Sequence, residues 1–249
     1  MNVAVAGAIA VWLGGWWLNT RLARGNRRGA ARLLPPLVFG VTLLVFWELI
    51  VRGLNVSPVL LPAPSGIAAR IATSGSVLRE DVVQTFFKGA LSGYVIGCGA
   101  AFLTGVLVDR VPFLRRGLLP VGNFVAALPI VGMAPIMVMW FGFDWQSKAA
   151  VVVVMVFFPV LVNMVAGLKA TDPMQRDLMR TYAASEWQVL FNLRLPSAAP
   201  FLFNGLKICT TLALIGAIVA EFFGTPIVGM GFRISTEVGR MNIDMVWAE

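Results

Sequence analysis

Histidine is missing from all 249 residues. Its absence removes the commonest general base and the commonest metal ligand together. Charge is scarce as well: 13% of residues are Asp, Glu, Lys or Arg, against about 25% in an ordinary soluble domain. Cysteine occurs twice, at Cys98 and Cys209, far apart and inside apolar runs. That excludes a disulfide framework or a zinc spacing and leaves two small buried hydrophobes. No run matches GxxxxGKS/T, so no loop is built to cradle a nucleotide phosphate. The nearest glycine-rich stretch, GMGFRIST at 229–236, has no lysine. An intramembrane enzyme without histidine would need a pair of aspartates, and no two lie within the apolar runs.

What the chain has instead is hydrocarbon. Hydrophobic residues make up 58% of it, and the mean hydropathy is +0.82. At about 20 apolar residues per crossing, the length allows about six membrane helices with short loops. The predicted fold class is all-α, a polytopic membrane helical bundle. Apolar runs place the spans at Val3–Leu18, Leu33–Val51, Phe87–Val108, Leu118–Phe141, Ala149–Leu168 and Ile208–Phe223. Pro120, Pro129 and Pro135 predict a kink in the fourth, and Pro159 one in the fifth. The run MVWAE that ends the sequence starts a further apolar segment, so a closing helix is expected to be absent or truncated.

The net charge of +8 does not indicate a nucleic-acid partner, because the arginines sit in short loops between spans and form no single basic face. Their placement orients the chain. The first span has no basic residue before it, whereas Arg21, Arg24, Arg27, Arg28 and Arg32 follow. This is the reverse of a secretory signal and fits an uncleaved anchor or an over-called start. Positive charge after the span puts the N-terminus outside. Alternation then places Arg110, Arg115, Arg116, Lys169, Arg176, Arg180, Arg194 and Lys207 inside. Thirteen basic residues fall inside and seven outside, as the positive-inside rule requires. The predicted organisation is an anchor helix and basic cytoplasmic loop over 1–32, followed by a transmembrane domain over 33–249.

One cytoplasmic segment, 171–200, is unlike its surroundings. Asp172-Pro173 reads as an N-cap with proline at the first helical position, opening a short helix to about Ala183. Met174, Leu178 and Tyr182 recur every fourth residue on one face. Ser185-Glu186-Trp187-Gln188 fits a capping box. Trp187, Leu190, Phe191 and Arg194 form the next stripe, and Leu195 before Pro196 is expected to leave the helix. Helices this short are unstable alone. They either lie on lipid headgroups or pack against a partner protein, and the polar tip of Asp177, Ser185 and Glu186 suits the protein better.

This segment resembles the cytoplasmic signature loop of binding-protein-dependent ABC importer permeases, which runs Glu-Ala-Ala, a Gly some residues later, and a final Leu-Pro. Here Asp177-Leu178-Met179 stands in place of Glu-Ala-Ala and Ala183 in place of the glycine. Ala184-Ser185, Trp187-Gln188, Leu195-Pro196, Pro200 and Gly205-Leu206-Lys207 match. LPAPS at 61–65, MWFGFDWQSK at 139–148, FFPVLVNMVAGL at 157–168 and GAIVAEFFG at 216–224 are similar too, so the likeness covers about 61–249. It is closest to the group that includes nitrate, sulfonate, taurine and thiamine-pyrimidine-precursor permeases.

The resemblance implies a type I importer permease fold, with 171–200 as the coupling loop seated on a separate ABC ATPase. Asp177, Leu178, Arg180, Tyr182, Ala183, Ala184, Ser185, Glu186, Trp187, Gln188 and Pro196 would make that contact. It also implies a permease homodimer in lipid, an external or periplasmic binding protein, and no cofactor on this chain, ATP and magnesium being held by the partner. The chain would be a transport subunit of the bacterial inner membrane and not an enzyme. Met133, Met137, Trp140, Asn163 and Glu221 are candidates for the substrate path, with Asn123 and Glu48 as further in-membrane polar groups. The implied substrate is a small anion or a heteroaromatic vitamin precursor. Amino-acid or betaine-type solutes, a passive channel and an intramembrane enzyme are the alternatives. The alanine at 183 would be strained if the bend requires a positive φ.

Overall fold

The computed structural model describes residues 3–24, 29–111, 113–114, 117–118, 120–121, 125, 129–224 and 227–249. Arg27, Arg28, Arg115, Arg116 and Asn123 lie outside them. The described residues are helical with no strand. Among the described residues, five helices are long and apolar enough to cross a membrane, and a sixth apolar helix is shorter. The protein is a multi-pass membrane protein. Its residues fall into two compact units, Met1–Leu78 with Ile234–Glu249, and Arg79–Arg233.

In the first unit, α1 (Val3–Arg24) and α2 (Leu34–Gly53) form an antiparallel hairpin. Gly15 lies against Thr42 and Gly53 against Ala4 so closely that a Cβ on either would overlap. Trp12 meets Phe46 at 5.2 Å between ring centroids. Leu13, Trp16, Trp17, Leu37 and Leu44 remain exposed, as expected of side chains that face acyl chains. Helix α3 (Pro64–Thr73) starts on a carboxylate: Glu48 accepts from the Ser65 amide at 2.9 Å and its hydroxyl at 2.7 Å, and pairs with Arg52. The anion sits where the first helical N–H groups lack partners. Arg70 of α3 pairs with Asp244 of the short C-terminal helix (Ile243–Ala248) at 2.9 Å, and Trp47 packs on Trp247 of that helix.

The second unit begins within α4 (Gly75–Val82), which runs through a π-helical stretch, Val83–Leu91, into α5 (Ser92–Arg110). Helix α6 (Ile130–Phe141) is followed by α7 (Trp145–Lys169), the most enclosed of the spans. Val151, Val152, Val156, Val160, Leu161 and Met164 of α7 are all fully buried. Glycines set its distance from α5. A Cβ on Gly93 would stand 2.6 Å from the Val152 Cβ, and one on Gly97 would stand 2.5 Å from the Val156 Cγ2. Small residues allow such approach where burial from water supplies no drive between helices.

The predicted fourth span is not one kinked helix. Pro129 takes an extended conformation (φ −68°, ψ 123°) and α6 starts afresh at Ile130, with 12 residues. Proline has no N–H to carry the ladder across that point. Pro135 and Pro159, by contrast, stay inside continuous helices. The last long span also starts earlier than expected, at Leu195. Helices α8 (Pro173–Thr181) and α9 (Glu186–Val189) precede a π turn, Leu190–Arg194, which leads into α10 (Leu195–Glu221). Leu195 is helical (φ −65°, ψ −46°), not pushed out. The wide π turn moves the carbonyls of the preceding turn away from the Pro196 ring and so removes the clash that would end the helix. The run Glu186–Glu221 is 36 residues long. At 1.5 Å per residue that is about 54 Å, well beyond a hydrocarbon core of about 30 Å, so one end stands clear of it.

Candidate functional site

The loop 171–200 is assembled from local signals. Asp172 accepts from the Met174 amide at 2.9 Å, which caps α8. The helix closes in a Schellman motif: the Ala183 amide donates to the Arg180 carbonyl at 2.9 Å and that of Ala184 to Met179 at 3.0 Å. The motif needs a left-handed residue after the cap, and Ala183 holds it at φ 50°. Two residues on, both halves of the capping box are made, Ser185 Oγ accepting from the Gln188 amide and Gln188 Oε1 from that of Ser185. Each cap is worth about 1 kcal/mol.

The loop has two unlike faces. On its outer face Met174, Leu178, Tyr182, Trp187 and Phe191 are all exposed, Tyr182 by 76%. Trp187 and Phe191 stack with 19° between their planes, and the Arg110 guanidinium lies 4.1 Å from the Trp187 ring centroid. Arg180 and Asp177 pair at 3.4 Å in full solvent, a contact worth about 0–1 kcal/mol. Ser185, Glu186, Gln188 and Pro196 are exposed, and Ala184 is half-buried. On the inner face the predicted stripe splits. Leu190 turns inward and is buried with Met164, Leu168 and Ala198, against Phe102 and Val106. Arg194 turns inward too, to Asp109 and the Leu168 carbonyl. Leu190 and Arg194, four residues apart, share the inward side, whereas Trp187 and Phe191, also four apart, stack on the exposed side. Sequence reading missed this anchor. Its only signals were an aspartate at the end of an apolar span and an arginine inside LRLP.

The in-membrane candidates do not form one cluster. Met137 and Trp140 line an apolar groove of about 510 Å³ with Ile96, Trp145, Ala149 and Val153. Met133 lines a second cavity, about 230 Å³, with Met155, Phe158 and Leu212. Asn163 donates to the Pro159 carbonyl at 2.8 Å and lies against Gly205. Glu221 is buried in a hydrogen-bond network. It accepts from Thr85 Oγ1 at 2.8 and 2.9 Å and from the Gly231 amide at 2.7 Å. Nearby Asp81 is fully buried, accepts from the Gly229 amide at 2.6 Å and pairs with Arg233 at 2.8 Å. Lys148 caps the Phe143 and Gly224 carbonyls. Buried charges require such partners. The glycines of 229–231 let this loop close over the Glu221 side chain, since a Cβ on Gly229 would stand 2.6 Å from its carboxyl carbon.

Residues 93–248 match the model of a family described as binding-protein-dependent transport system inner membrane component. Among similar proteins is the formylaminopyrimidine transport permease protein ThiX of Halalkalibacterium halodurans, 34% identical over 77% of this chain and 76% of that one. The riboflavin transport system permease protein RibX of Chloroflexus aurantiacus is 30% identical over 86% of this chain and 81% of its own. The taurine transport system permease protein TauC of Escherichia coli is 26% identical over 84% and 77%. These relatives are permease subunits of transport systems. The loop, the helical bundle and the matches agree: the chain belongs to the binding-protein-dependent transport system inner membrane component family.

Proposed function

We propose that the chain is the permease subunit of an ATP-driven importer, working as a homodimer in lipid with two separate ABC ATPase subunits and an external binding protein. The N-terminus faces out and the loop 171–200 faces the cytoplasm, where its exposed face docks on the ATPase. The observation that carries this reading is the row Met174, Leu178, Tyr182, Trp187 and Phe191. These large side chains are held in the open by a loop whose ends are capped and whose inner face is anchored. Such a patch, with Asp177, Arg180, Ser185, Glu186 and Gln188 at its edge, has the apolar centre and polar rim of a protein interface. ATP and magnesium are bound by the partner, and this chain carries no ATPase site of its own.

ATP closing the ATPase pair would shift the permease between inward-open and outward-open states. Inverting a 99:1 population takes about 5.5 kcal/mol of differential affinity, so the docking contact must hold through the stroke. The substrate is a small anion of the nitrate, sulfonate or taurine type, or a heteroaromatic vitamin precursor. The groove at Met137 and Trp140 offers sulfur and an aromatic face to a flat ring, and two relatives carry names with heteroaromatic substrates. Met133 and Asn163 belong to the same proposed path, whereas Glu221 supports it by bracing the 227–231 loop.

Co-expression of the chain with its ABC ATPase tests the reading. The ATPase should co-purify in stoichiometric amount. Recovery of the permease alone, at ATPase concentrations above 10 µM (about −7 kcal/mol by the usual affinity relation), would contradict it.

A further inference from the structure

Docking alone moves nothing unless the loop is tied to the helices it must drive, and one side chain makes that tie. Arg194 ends the π turn between the docking face and α10. Its Nη2 donates to Asp109 Oδ1 at 2.6 Å, and Nη1 stands 2.6 Å from Oδ2. The same Nη2 donates to the Leu168 carbonyl at 3.0 Å, with Nε at 3.3 Å from that oxygen. Asp109 lies in the last turn of α5, and Leu168 in the last turn of α7. One planar guanidinium thus joins three segments: the loop, α5 and α7. The pair is largely shielded, with side-chain exposures of 18% and 5%. Arg176 adds to the α7 end, donating to the Leu168 and Lys169 carbonyls at 3.3 Å each.

Three physical features suit this joint to carrying force. The guanidinium donates from Nη2 to one Asp109 oxygen and to the Leu168 carbonyl, while Nη1 faces the second carboxylate oxygen as an ion pair, so acceptors on two helices fix its direction as well as its distance. The Leu168 carbonyl is one of the helix-end acceptors that has no partner within its own helix, and a cation there also meets the negative end of the dipole. Breaking one partner of a shielded pair leaves the other charge uncompensated, so the joint does not slip between half-made states. Arg110 is a weaker link by comparison, touching Trp187 by its face and the Glu186 carbonyl at 3.4 Å.

We propose that Arg194, paired with Asp109 and seated on the Leu168 carbonyl, is the positioning residue that transmits movement of the docking loop to α5 and α7. This rests on the docking reading above but is separable from it, because Arg194 is on the inner face and the docking residues are on the outer one.

The test uses the full complex of chain and ATPase in lipid nanodiscs, with Cys98 and Cys209 replaced by alanine. One spin label is placed at Gln175 on the loop and another, in a separate preparation, at exposed Leu103 on α5. Trapping with ATP and vanadate is the probe. In the parent chain both labels should change mobility or inter-copy distance. In Arg194→Met the ATPase should still co-purify and Gln175 should still respond, while the Leu103 response falls at least fivefold. Arg194→Lys should restore part of it, because the charge remains and the fork is lost. Asp109→Asn should reproduce Arg194→Met, and decides the matter if Arg194→Met fails to reach the membrane. A full Leu103 response in both variants would overturn the proposal. So would loss of ATPase binding, or of the Gln175 response, in step with Leu103, because Arg194 would then merely support the docking face. Failure of the parent chain to bind the ATPase would instead remove the docking reading.

Discussion

Replacing Ala183 by glycine should stabilise the bend between α8 and α9. Ala183 is the left-handed residue of a Schellman motif, with φ at 50°. A Cβ in that region costs about 1–2 kcal/mol. Glycine removes the cost but returns about 0.4–1 kcal/mol through a freer unfolded chain. The net gain is about 0.5–1 kcal/mol, equivalent to a two- to fivefold lower population of the opened bend at about 1.4 kcal/mol per tenfold. Valine should act in the opposite direction by more than 1 kcal/mol, since branching at Cβ worsens the same clash. Hydrogen exchange reads this at the amides of Ala183 and Ala184, which bond the Arg180 and Met179 carbonyls. After correction for intrinsic rates, both amides should exchange two to five times more slowly in Ala183→Gly and faster in Ala183→Val. Exchange in the glycine variant as fast as in the parent would show that the strain is absent and refute the reasoning.

Two further outcomes follow from the buried contacts. Glu221→Ala leaves the Thr85 hydroxyl and the Gly231 amide without their acceptor. It should cost about 2–6 kcal/mol at about 1–3 kcal/mol per stranded group, seen as a lower midpoint of thermal unfolding in detergent, with Thr85→Val costing less. Gly93→Ala drives a methyl against Val152 and the Ala149 carbonyl. It should destabilise by about 1–3 kcal/mol, and Val152→Ala in the same chain should recover part of that midpoint.

The sequence disclosed what is local and concealed what is distant. The Asp172 cap and the Ser185–Gln188 box were legible because donor and acceptor lie within three residues of each other. The long apolar runs were legible because hydrocarbon thickness sets their length. Helix ends were read less well. Hydropathy ran one span through Pro129, whereas α6 starts only at Ile130 after an extended Pro129, and Pro196 failed to break a helix because a π turn, which has no composition signature, precedes it. The tie between Arg194 and Asp109 spans 85 residues, and the fastening of the 227–231 loop to Asp81 and Thr85 spans even more. No periodicity reports such pairings, because they arise only once the helices pack. The alanine at 183 was legible as a departure; that the bend adopts a positive φ came from the backbone.

The most direct test of the central claim is a photo-crosslinker at Tyr182, the side chain most fully presented on the outer face of α8 and its bend after Met174. In intact membranes containing the chain, its ABC ATPase and its binding protein, illumination should join Tyr182 to the ATPase, while the same group at Leu37 on α2 should capture only lipid. Adducts at Tyr182 with lipid alone, or with the external binding protein, would contradict the account.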